Sequence, residues 1–97
     1  MGQKDQLMIP DVARQDGKSF EVLRVWIAQK GQHVSLRTGV WEDPFAWGIM
    51  LADLAGHIAN SFAQSARLDR QEVLQKIRMG FDAEMNSPTD TPIGSIM

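Results

Sequence analysis

Two groups of residues have side chains and spacing that could do chemistry. Asp53 and His57 stand four residues apart, one helical turn, with Asn60 and Ser61 following on the same side. An aspartate so placed can orient an imidazole and raise its basicity, which is what a general acid or base requires. The same spacing also describes an ordinary surface pair worth a few tenths of a kcal/mol. No nucleophile and no oxyanion donors accompany it, so His57 and Asp53 are weak catalytic candidates. The second group is Arg24, Trp26, His33 and Arg37. Two guanidinium groups beside an indole could hold a carboxylate or phosphate by paired hydrogen bonds and stacking. The competing reading is a plain sheet face on which Trp26 packs beneath the arginine stems.

The second group depends on a β-hairpin. From Phe20 to Ala28, Leu23, Val25 and Ile27 alternate with Arg24 and Trp26, which predicts a strand with one apolar face. Gln29-Lys30-Gly31-Gln32 reads as a tight turn in which Gly31 supplies positive φ, and His33 to Arg37 as the returning strand. A loop of Lys30 and Gly31 would pair Ile27 with Val34 and Val25 with Leu36. It would also set Trp26 opposite Ser35 and Arg24 opposite Arg37. Like charges directly opposite are destabilising, so this register calls for Glu21, another subunit's carboxylate or a bound anion to offset them.

The first group depends on a helix. Asp43 can cap it and Pro44 suits its first position, and the pattern runs to about Ala66. Trp47, Leu51, Leu54, Ile58 and Phe62 form a large apolar stripe, Gly48, Ala52, Ala55, Gly56, Ala59 and Ala63 a small one, and Asp53, His57, Asn60 and Gln64 a polar one. The large stripe is expected to cover the sheet. The small stripe lets another helix approach closely, either the next helix or a second copy. Asp69-Arg70-Gln71-Glu72 is a capping-box pattern that starts a second amphipathic helix ending near Asn86. Leu7-Met8-Ile9 suits a short strand ending at Pro10, and Asp11 to Arg14 a helical turn. The tail from Ser87 has turn residues and little periodicity. Its Ser87-Pro88-Thr89-Asp90 run reads as a helix stop and loop, or as a segment that orders on a partner.

These elements predict an α+β two-layer sandwich: an antiparallel hairpin plus a short N-terminal strand, packed against two α-helices. With 97 residues the chain has material for one core, so residues 1–97 are read as one domain, with 1–5 and 87–97 as tails that are flexible or docked on a partner. Ten Lys and Arg against twelve Asp and Glu give a net charge of −2, and no two basic residues are adjacent, so nucleic-acid binding lacks its usual driving force. The absence of cysteine removes disulfides, thiolate metal sites and cysteine nucleophiles. The two histidines show no paired-ligand spacing, so neither a metal nor a cofactor is implied. The opening residues do not predict a signal peptide, and Asp53, His57 and Asn60 interrupt the apolar stretch from Phe45 to Ala63, so a cytoplasmic protein without membrane partners is expected.

Trp26, Phe20 and Val22 would leave an apolar patch in water. With the small stripe, this predicts a homo-oligomer, a dimer favoured, with Trp26, Ala52 and Gly56 as interface candidates. The expected function is a non-enzymatic, self-associating domain that binds a protein or a small anionic ligand. The alternative is a small enzyme using His57 with Asp53 at a subunit junction.

Several runs are specific when taken together: Asp5-Gln6-Leu7, Phe20 to Trp26, Gln32 to Arg37, Trp41-Glu42-Asp43-Pro44 with Ala46-Trp47-Gly48, Phe81 to Glu84, and Ser87 to Asp90. Through them the chain resembles a family of short bacterial proteins, mostly alphaproteobacterial, known as domain of unknown function 5076. The resemblance covers nearly the whole chain. It implies these domain boundaries and a bacterial cytoplasm, and carries no activity, cofactor or substrate.

Overall fold

The hairpin closes one residue earlier than its glycine suggests. In the computed structural model, which describes residues 5–87 and 95–96, β1 (Leu23–Ala28) and β2 (Gly31–Leu36) pair antiparallel through a Gln29-Lys30 loop. Both loop residues have positive φ, 51° and 63°, whereas Gly31 does not. Two successive left-handed residues match the turn that follows strand twist, at some cost for residues with a Cβ. The register is therefore shifted by two from the expected one. Val25 lies opposite Val34, Trp26 opposite His33, Ile27 opposite Gln32 and Arg24 opposite Ser35. The physical reason is on the polar face, where the shift takes Arg24 away from Arg37. An even shift leaves each residue on its predicted face.

The third strand is not the expected N-terminal one. Leu7–Ile9 has no regular structure, and Leu7 is 97% exposed. Instead β3 (Ser95–Ile96), in the tail expected to be irregular, pairs parallel with β2, giving the order β1-β2-β3. A two-residue strand forms only where a sheet edge meets it, and β2 is paired on both sides. The Pro88-Thr89-Asp90 part of the tail motif lies outside the described residues. The predicted helical turn is present as α1 (Asp11–Gln15), closed by an Asp16 side chain that accepts from the Lys18 amide at 2.9 Å.

Helix α2 (Pro44–Ser65) and helix α3 (Arg70–Asn86) begin where their caps predict. Asp43 accepts from the Phe45 amide at 3.0 Å and Asp69 from the Glu72 amide at 3.1 Å. Between them Arg67 takes a left-handed conformation, φ 56°, which ends α2 and turns the chain back. The small stripe of α2 packs on α3 of the same chain. Ala59 is fully buried and Val73 is 8% exposed, and these two are the buried apolar residues among those described. Trp41 meets Trp47 edge to face, ring centroids 5.0 Å apart, before and within the start of α2. The fold is α+β. It divides into two compact units, one of residues 5–37 with 95–96, the other of residues 38–87.

Candidate functional site

On the hairpin, three of the four residues expected to form an anion clamp, Arg24, His33 and Arg37, already have partners. Glu21 lies just before β1, where its carboxylate meets Arg24 twice, at 3.0 Å to Nη2 and 3.3 Å to Nε. That paired geometry occupies one edge of the guanidinium. The Arg37 Nε donates to the Glu21 carbonyl at 2.9 Å, and its guanidinium carbon lies 5.3 Å from the centre of the Phe20 ring. The Arg37 amide continues the ladder to the Val22 carbonyl, so the strand ends are held together. His33 Nε2 sits 3.1 Å from the Ala28 carbonyl, as a donor to it. Arg24, Trp26, His33 and Arg37 thus share a face, but Glu21 supplies the offset that the expected Arg24–Arg37 opposition demanded. The opposition itself does not occur.

In the helical unit, a groove of about 360 Å³ runs between α2 and α3 and is lined by Ala52, Asp53, Gly56, His57, Asn60, Arg70 and Leu74. Asp53 and His57 both reach it, with exposed side chains, and no hydrogen bond joins them. His57 itself lies open to solvent. Ala52 and Gly56, expected at a subunit contact, lie along the same groove. Gly56 faces Arg70: a Cβ there would lie 3.4 Å from Nη2.

Arg70 is the groove residue that sequence reasoning missed. It is the first residue of α3, and its Nε donates to the Asn60 side-chain oxygen of α2. Among the described residues no carboxylate lies within ion-pair distance of it. The signal was available: a short link from Ala66 to Asp69 between antiparallel helices sets the last turns of α2 against the first turn of α3. No group of three or more histidine, aspartate or glutamate residues suited to a metal ion occurs among the described residues, and no helix among them is long and apolar enough to cross a membrane.

The family model described as domain of unknown function (DUF5076) matches residues 6–89. The chain belongs to this family. Its residues thus span the hairpin, both long helices and the groove. No curated protein matches the chain. Among solved structures, one similar chain is 30% identical, with a TM-score of 0.77 over 98% of this chain and 97% of that one. It is described as "Structure of a putative pyruvate dehydrogenase from the photosynthetic bacterium Rhodopseudomonas palustrus CGA009". The dehydrogenase description is that protein's own.

Proposed function

We propose that this protein is a self-associating binding domain, not a proton-transfer enzyme, and that a second copy of the chain covers the large apolar stripe of α2. The observation that carries this reading is the contrast between the two apolar stripes of one helix. The small stripe is packed on α3, while Leu51, Leu54, Ile58 and Phe62 remain between 37% and 47% exposed. Their spacing of three, four and four residues forms a seam about 16 Å long that suits a helix packed at a shallow angle. Uncharged and symmetric in kind, such a seam can meet its own copy across a two-fold axis.

Magnitudes indicate how much surface must take part. Covering four half-exposed side chains on each of two copies yields roughly 8 kcal/mol, the same order as the cost of bringing two chains together. The helix seam alone is therefore insufficient. Val25 and Ile27 on the hairpin, the latter 75% exposed, belong to the same requirement. In all, eighteen large apolar side chains among the described residues are exposed.

The open position of His57 and the lack of a hydrogen bond to Asp53 support binding over acid-base chemistry. The test is thermal unfolding of the full chain over a range of concentrations. If folding is linked to association, the midpoint rises with concentration. A midpoint independent of concentration overturns the reading.

A further inference from the structure

We infer that the groove between α2 and α3 is a binding site for a small monocarboxylate, held by Arg70. This goes beyond self-association and does not depend on it. Arg24 meets a carboxylate that neutralises it, whereas among the described residues Arg70 meets the neutral amide of Asn60 and no carboxylate. The Asn60 bond fixes Nε and so orients the planar group, leaving the two terminal nitrogens as a fork of donors. Gly56, without a Cβ, lets the guanidinium lie close to α2, where a Cβ would sit 3.4 Å from Nη2. His57, between Asn60 and Asp53 on α2, lines the same groove.

The α3 terminus is not itself the binding element, because Asp69 already caps it. The groove volume of about 360 Å³ is at the small end of ligand sites. Its charges choose the anion. One guanidinium without a carboxylate partner matches one negative charge, and Asp53, which also lines the groove, disfavours a second. A planar carboxylate also matches the planar fork, end-on across the two terminal nitrogens, because Asn60 holds the Nε that the corresponding pair of Arg24 gives to Glu21.

The experiment is a nuclear magnetic resonance titration of the isotope-labelled full chain with sodium acetate, with inorganic phosphate and with sodium chloride, all at one ionic strength. Acetate is expected to give saturating shifts at the Arg70 Nε–H and the Asn60 side-chain amide. Arg70→Gln should weaken acetate binding by about tenfold or more, the usual weight of a charge-assisted pair. Asp53→Asn, at an exposed position, should tighten it by about threefold through removal of a like charge. The opposite signs of the two variants separate a built site from general loss of folding. Shifts that fail to saturate, that match those caused by chloride, or that persist in Arg70→Gln overturn the site. Tighter binding of phosphate than of acetate overturns the assignment to a monocarboxylate.

Discussion

The hairpin and the helix pair handle charge and apolar surface in opposite ways. On the hairpin the polar groups have local partners: Glu21 serves Arg24 and Arg37, and Ala28 serves His33. Its apolar residues do not, and Ile27 and Val25 stay exposed. In the helix pair the closest packing is complete along one line, at Ala59 and Val73, while a charged group, Arg70, is left with a neutral partner. Locally satisfied charge beside bare apolar surface suits contact with another protein surface. An uncompensated charge in a groove suits a small ligand. One chain thus carries two kinds of unfinished surface in different places.

The largest effect should come from Ile58→Asp, which puts a charge into the exposed seam of α2 without touching Ala59. It is expected to convert the assembly to single chains, as read by sedimentation, with the helical signal retained. The same substitution at Ile27 should weaken assembly less, because the seam supplies more of the area. If Ile27→Asp is the more disruptive, the hairpin carries the interface and the ranking of the two regions reverses.

A second comparison lies within α2. Ala59→Leu adds bulk where there is no space and should destabilise the fold by about 1–3 kcal/mol in chemical denaturation. Gly56→Ala, three residues earlier, should instead stabilise by up to about 1 kcal/mol, since helix propensity improves and the new Cβ makes ordinary contact with Arg70. It should leave the assembly intact. Loss of assembly in Gly56→Ala would move the subunit contact to the small stripe, where Ala52 and Gly56 were first expected to act.

In the hairpin, Gln29→Asn with Lys30→Gly should raise stability by about 1 kcal/mol, because both positions are left-handed. The smallest effect belongs to Glu21→Gln. The Arg24 pair is about half exposed, so its loss should change stability by less than ~1 kcal/mol.

The sequence revealed most where the cause of structure was local. Asp43-Pro44 and Asp69 with Glu72 placed both helix starts, because a cap needs only its next few residues. Alternation placed both strands. The register was not legible, because Gly31 was the apparent turn residue and the repulsion between Arg24 and Arg37, which the real register avoids, could be offset by Glu21, another subunit's carboxylate or a bound anion. The third strand was missed because its partner edge is set by tertiary structure, not by the few residues that form it. Of the groove, Asp53, His57 and Asn60 were visible as one helical stripe. Arg70 was not, since its role arises from the return of the chain after Arg67, and a residue following a cap reads first as part of that cap.

The most direct test of self-association is the absolute mass of the full chain by light scattering across a dilution series. Self-association requires a mass of two or more chains that holds until the protein is very dilute. A mass of one chain at every concentration would contradict it.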